Sequence, residues 1–234
     1  MGWRWAAGGT PDSPGSPRSP TYRGAMEITV RRATRHDVPE LARVLGLAFA
    51  DDPVFSWLLP DPATRAQRTA HMFAAMARHQ FLAFDGVDVV LDDTGAIVGA
   101  AGWAPPRAWA PSGLAQLRAI PGLVRAFRSR LRVAAQVAER MARHHPADPA
   151  WYLAFVGTLP TARGRGFGHA LLAPRLEHCD EHAAPSYLES SKAENVPYYE
   201  RFGYRTTDEL DVTDGGPPLW PMWRTPVQSS GSAP

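Results

Sequence analysis

The hexapeptide Arg163-Gly164-Arg165-Gly166-Phe167-Gly168 has the makings of an anion cradle. Three glycines at alternating positions leave main-chain N–H groups unshielded. An anionic group can therefore approach a helix start and be held by backbone donors and the positive dipole end. The flanks agree, with an apolar strand-like run from Trp151 to Leu159 closed by Pro160 before it and a helical pattern after it. A nucleoside triphosphate loop would end in Gly-Lys-Ser/Thr, whereas His169-Ala170-Leu171 follows here. A dinucleotide fingerprint begun at Gly164 needs glycine at 169, and one begun at Gly166 needs glycine or alanine at 171; neither is present.

A second group of reactive residues follows the helix. Ser186-Tyr187-Leu188-Glu189-Ser190-Ser191 alternates as a short strand and ends on a carboxylate that could accept a proton, Glu189, or that could be purely structural. The next segment, Lys192 to Tyr204, predicts a short helix with Pro197 in its first turn and Gly203 at its stop, carrying Tyr198 and Tyr199. A phenol with an ordinary pKa of about 10 is protonated at neutral pH, so a tyrosine here could donate a proton. Tyr198 is expected to pack inward.

The order strand, Pro, Arg-x-x-Gly-x-Gly, helix, and then Asn195-x-Pro197-aromatic-Tyr199-Glu200-Arg201, resembles the two signature blocks of the GCN5-related N-acetyltransferases. The Leu188-Glu189-Ser190-Ser191 run and the Trp220-Pro221-Met222-Trp223 ending look most like the branch that contains puromycin N-acetyltransferase. The resemblance is specific from Trp151 to Tyr204. It implies an α/β acyl-CoA N-acyltransferase fold, a mixed and mostly antiparallel sheet whose fourth and fifth strands splay apart. Acetyl-CoA would be the acetyl donor. The pyrophosphate would lie on Arg163, Gly164, Arg165, Gly166, Phe167, Gly168 and His169, and the pantetheine arm along the strand end Val156-Gly157-Thr158 and near Asn195. Tyr199 would be the general acid. The family usually has a hydrophobic residue where Thr158 stands, which leaves a backbone contact untouched.

The acceptor implied is a small-molecule primary amine of aminonucleoside or antibiotic-like type, attacking directly in a ternary complex. Cys179, the single cysteine, has no activation pattern suited to an acyl-enzyme route. A protein amine as acceptor, or a non-catalytic acyl-CoA or amine sensor, stays open. Phe55, Trp57 and Trp103, with Trp109, could form an aromatic wall for a planar acceptor, with Asp51, Asp52 and Asp61 nearby. If the acceptor is an α-amine, an appreciable neutral fraction exists at pH 7 and no strong base is required.

The elements that must position these residues can be read from periodicity. Ile28 and Val30 alternate as a first strand, and Thr34 with Asp37 makes a capping pair for a helix through Leu41, Val44, Leu45 and Ala48. Asp61-Pro62 starts a second helix, expected to run to about Phe84. Val87–Leu91 and Ala96–Trp103 flank the hairpin signal Asp92-Asp93-Thr94-Gly95. A helical insertion at about 105–147 follows, with a shorter helix near Leu114, Leu117 and Ile120 and a longer one from Leu123 to Met141. It could close over the acceptor or form a dimer contact. Two final strands are expected at about Tyr204–Val212 and Leu219–Arg224.

The length of 234 residues fits one domain, placed at 26–225, with Gly/Pro/Ser-rich 1–25 and residues 226–234 read as disordered tails. The net charge of +2 points to no polyelectrolyte partner. Charge is instead divided: about +7 from Arg107 to His145 and about −7 from Glu177 to Asp214. The arginine-rich part lacks interleaved aromatics, so no nucleic acid is expected. No eighteen-residue apolar run or signal-peptide centre is present. A reducing, cytoplasmic setting and a monomer or homodimer are expected. His178-Cys179-Asp180-Glu181-His182 matches an inverted zinc-protease motif but lies at the far end of the helix after the glycine loop, so no metal is expected. His144-His145 reads as a helix terminus.

Overall fold

Strand β1 (Thr29–Arg32) leads through the Thr34–Asp37 capping pair into α1 (Val38–Ala48); Thr34 N and Oγ1 both donate to Asp37 Oδ2, at 2.7 and 2.9 Å. The computed structural model describes residues 28–227. The tail assigned to 1–25 and residues 228–234 lie outside the described residues. Val227 is described, and its N–H donates to Asp180 Oδ1 at 2.7 Å, which anchors that end of the chain.

After α1 come α2 (Pro53–Leu58) and α3 (Pro62–His79), each with an aspartate N-cap followed by proline, Asp52-Pro53 and Asp61-Pro62. The short α2 was not anticipated from periodicity. Helix α3 ends at His79, five residues short of expectation, and a 3-10 turn at Phe81–Phe84 completes the run. The hairpin of β2 (Val87–Leu91) and β3 (Ile97–Ala104) is as expected; Asp92 Oδ1 accepts from Thr94 N, Thr94 Oγ1 and Ala96 N, and Gly95 supplies a φ of +82°.

The insertion consists of α4 (Gly113–Phe127) and α5 (Leu131–His144). The expected break near Pro121-Gly122 is absent. Helix α4 runs through Pro121, and at Gly122 it approaches α3 closely: a Cβ there would lie 2.7 Å from Ala75 Cβ. The break falls at Arg128, in the left-handed region at φ 49°. Arg68 on α3 donates to Ala126 O (2.7 Å) and Phe127 O (2.9 Å), satisfying carbonyls that the helix end leaves free. The insertion packs on α2 and on Leu210, Val212 and Leu219.

Strand β4 (Trp151–Thr158), α6 (Phe167–Glu181), β5 (Ser186–Ser190), α7 (Val196–Glu200), β6 (Arg205–Thr206) and β7 (Trp220–Arg224) complete the chain. The penultimate strand is reduced to β6 plus one bridge, Leu210 to Leu219. The sheet order is β1-β2-β3-β4-β5-β7-β6. Every pair is antiparallel except β4–β5. Helices α1 and α3 cover one face and α6 the other, giving the mixed α/β architecture expected from sequence.

Candidate functional site

The parallel pair β4–β5 is joined only at Trp151–Ser186, Tyr152–Tyr187 and Leu153–Leu188. Beyond Leu153 the register between β3 and β4 slips: Gly102 faces Phe155 and Trp103 faces Leu153, so Ala154 is a bulge. From that point β4 stays with β3 while β5 goes on pairing with β7 through Ser190. The strands part, and a cleft of about 580 Å³ opens between them.

Its β4 wall is Ala154 to Thr158. Leu159 N donates to Val98 O (2.8 Å) on the β3 side. Successive strand amides point in opposite directions, so those of Val156 and Thr158 are directed into the gap. Gly157 is required by close packing, since a Cβ there would lie 2.9 Å from Ala48 Cβ and 3.1 Å from the Phe49 ring.

At the end of this wall lies the glycine loop. Gly164 (φ +76°) and Gly166 (φ +87°) take left-handed conformations that only glycine adopts cheaply, and Gly166 is the N-cap of α6 without a side-chain cap. The first-turn amides of a 15-residue helix are therefore left for a ligand. Arg163, Gly164, Gly166, Phe167, Gly168, His169 and Asn195 all line the cleft. Phe167 is buried and holds the helix start in the core, with Arg165 over its ring at 5.3 Å. Arg163 is already engaged, donating to Ala48 O (3.0 Å) and pairing with Asp51 (3.5 Å). Asp51 also pairs with Lys192 across the mouth at 3.0 Å.

The other wall carries Glu189, Ser190, Ser191, Tyr198 and Tyr199. The Glu189 carboxyl is pushed up to about 7 by burial, offset by the neighbouring Tyr152 and Tyr187 hydroxyls. The Tyr199 phenol is held well above its ordinary value by burial, with Tyr198 and the Asp52 carboxylate adding to it. Tyr198 packs against the core as expected, with its buried hydroxyl against the start of α6, 2.8 Å from where a Gly168 Cβ would sit, and no hydrogen-bond partner. Asp52 is buried, N-caps α2 through Phe55 N (3.0 Å) and accepts a hydrogen bond from Ser191 Oγ; burial raises its pKa.

The aromatic wall is not where the sequence placed it. Trp103 is fully buried in the core beside α6. Phe55 packs edge-on to Phe49 (5.7 Å) and against Phe73 (5.9 Å), while Trp57 lies under Arg130 (5.2 Å) on the insertion. None of the three lines the cleft, and neither does any residue of the insertion. Period-2 alternation explains Trp103, which shares the α6 face with Ala101, while Ala100 and Ala104 take the other. The aromatics near Glu189 are Tyr152 and Tyr187, brought together by the parallel register, and His145, which stacks on Trp109 (4.0 Å, 12°) and meets both tyrosines edge-on. Sequence reasoning placed Asp52 on the acceptor side, where it lines the cleft, and missed Tyr152, Tyr187 and Lys192 as its neighbours. The one available signal was that Tyr187 and Glu189 are two apart on one strand, hence on one face.

Cys179 is buried and its thiol is pushed up to about 11, which leaves it inert. His178, Glu181 and His182 can bring ligand atoms within 4.8 Å of one another, at the far end of α6 from the cleft. Among the described residues no helix is long and apolar enough to cross a membrane.

Comparison with known proteins bears on this geometry. The family model "Acetyltransferase (GNAT) domain" matches residues 133–225. An uncharacterised N-acetyltransferase of Schizosaccharomyces pombe is 36% identical over 85 residues, which are 36% of this chain and 34% of that protein, so the match spans about a third of that relative. The crystal structure described as histone acetyltransferase HPA2 and related acetyltransferase from Corynebacterium glutamicum is 32% identical, covering 88% of this chain and 99% of that one, with a TM-score of 0.66. Arylalkylamine N-acetyltransferase 2 from Aedes aegypti shares the fold at 13% identity, covering 85% of this chain and 98% of that one, with a TM-score of 0.54.

Proposed function

The chain belongs to the GNAT acetyltransferases, and from that premise we propose that it transfers the acetyl group of acetyl-CoA to a primary amine in a ternary complex. The observation that carries this reading is the single cleft that runs from the uncapped α6 start, past inward-directed amides, to a carboxyl raised toward neutrality and a phenol. Acetyl-CoA, when bound, supplies a thioester carbon open to attack and a thiolate leaving group. Its pyrophosphate fits the α6 start, where Gly164 and Gly166 leave nothing in the way but backbone donors.

Glu189 takes the proton of the attacking amine. A base is most useful with a pKa near the working pH, and about 7 meets that condition. The Val156 amide donates to the carbonyl oxygen as negative charge builds on it. Tyr199 gives its proton to the departing sulfur; with its pKa raised, the phenol carries that proton throughout the neutral range. Tyr198 is the weaker candidate because its hydroxyl lies at Gly168, the coenzyme phosphate end, whereas Tyr199 is the one that feels Asp52.

The acceptor in this reading is a small amine of aminonucleoside or similar type, entering beside Tyr152, Tyr187 and Glu189. A lysine side chain of a protein is the second reading, prompted by the description of the Corynebacterium relative. The test is mass spectrometry of puromycin, agmatine, an arylalkylamine and a lysine peptide after incubation with acetyl-CoA and the protein. A gain of one acetyl on a small amine, lost in Tyr199→Phe, is expected. A gain on the peptide alone would replace the first reading with the second, and free CoA with no amine modified would remove both.

A further inference from the structure

A second concavity, of about 750 Å³, shares no lining residue with the cleft. Four parts of the chain build it: the β1–α1 junction (Thr34, Arg35), the end of α3 (Arg78, His79), the turn that follows (Leu82, Asp85) and the first turns of α4 (Ser112, Leu114, Arg118).

The cations here lack charged partners, as do exposed arginines such as Arg125 and Arg132, but among the described residues only here do three of them share one concavity. Eight arginines elsewhere are held in ion pairs: Arg31, Arg32, Arg43, Arg140, Arg143, Arg163, Arg175 and Arg224. Among the described residues, Arg35, Arg78 and Arg118 have no hydrogen-bond or ion-pair partner, although Asp85 borders the same groove. Helix dipoles explain only part of the pattern. Arg78 and His79 complement the α3 C-terminus, but Arg35 begins a helical turn and Arg118 lies in the second turn of α4, near dipole ends that disfavour cations. The three arginines also act on one point. After burial, Arg78, Arg118 and Arg35 are what push the His79 imidazole below its ordinary value.

Three unpaired guanidinium groups from three separate elements, gathered round a concavity with one acid on its rim, repel one another until an anion joins them. We propose that this groove is a second ligand site, separate from the acetyl-CoA cleft, for a small anion carrying two or more negative charges. Arginine forks bind phosphate and carboxylate oxygens in pairs, so either source of charge suits the geometry. Leu82 and the exposed Leu114 give the groove an apolar flank as well. The site does not depend on the identity of the acetyl acceptor.

The experiment is calorimetric titration of the full chain, first saturated with CoA so that the glycine loop is filled. Tripolyphosphate and citrate are added in separate runs at about 0.15 M salt, where charges farther apart than about 8 Å are screened. One equivalent of either anion should bind, and Arg78→Gln with Arg118→Gln should weaken that binding at least about tenfold, since each removes a charge-assisted contact. Arg132→Gln, exposed on α5 outside the groove, should leave it unchanged. Tripolyphosphate alone binding would assign a phosphorylated ligand, citrate alone a polycarboxylate, and both the shared chemistry. No saturable heat from either anion, or equal weakening by Arg132→Gln, would overturn the proposal. All three arginines are exposed, so unchanged circular dichroism is expected to show that loss of binding is not loss of fold.

Discussion

The two walls of the cleft are made of different material. The β4 and α6 side is backbone: inward amides, two left-handed glycines and a helix start with no side-chain cap. The β5 and α7 side is side chain: a carboxyl and a phenol whose pKa values burial has moved, supported by Asp52 and Ser191. A backbone wall reads only the shape and charge of an anionic cofactor, so it tolerates changes of side chain and fails when a Cβ is added. A side-chain wall holds the protons and fails atom by atom.

The largest expected effect lies on the side-chain wall. Glu189→Gln should lower kcat by about 10²–10⁴, and the wild-type rise of kcat/KM with pH through about 7 should vanish with it. The same variant should be more stable than wild type at pH 8. Glu189 binds its proton more tightly folded than unfolded, so its contribution is full below about 4.5 and is lost as pH rises through about 7. Removing the charge should recover on the order of 2 kcal/mol, read as a Tm several degrees higher. Equal Tm values at pH 8 would place the carboxyl in water and break the contrast.

Tyr199→Phe should follow, with kcat down about 10²-fold and both KM values little changed, as steady-state kinetics would record. On the backbone wall, Gly166→Val puts a β-branched residue at φ +87°, and kcat/KM for acetyl-CoA should fall by about tenfold to a hundredfold with the KM for the amine unmoved. Smallest is Asp51→Asn. Asp51 neutralises Arg163 and Lys192, so its loss should tighten CoA by no more than about fivefold, measured by titration; weakening instead would make Asp51 a structural tie.

Legibility in the sequence followed the same division. The glycine loop could be read because left-handed φ is a property of single residues, and the Thr34–Asp37 cap and the Asp92–Gly95 turn are local for the same reason. The side-chain wall needed register. Nothing local says that Tyr152 faces Tyr187, which follows from a parallel pairing 35 residues apart, or that the β3 face carrying Ala101 and Trp103 is covered by α6. The helix break at Arg128 rather than at Pro121 was equally hidden, because Arg68, from another helix, satisfies the carbonyls at the α4 end.

The bulge at Ala154 has a further consequence. Sheets ordinarily confine unpaired strand edges to their rims, where charge or a covering loop keeps other chains from adding on. Here the parting of β4 and β5 puts two such edges in the middle of the sheet, joined by three residue pairs at one end. A ligand lying along β4, as proposed, would do for this protein what a missing strand would do, and the charges that guard those edges are Arg163 and Lys192 on the cleft wall with Asp51 between them.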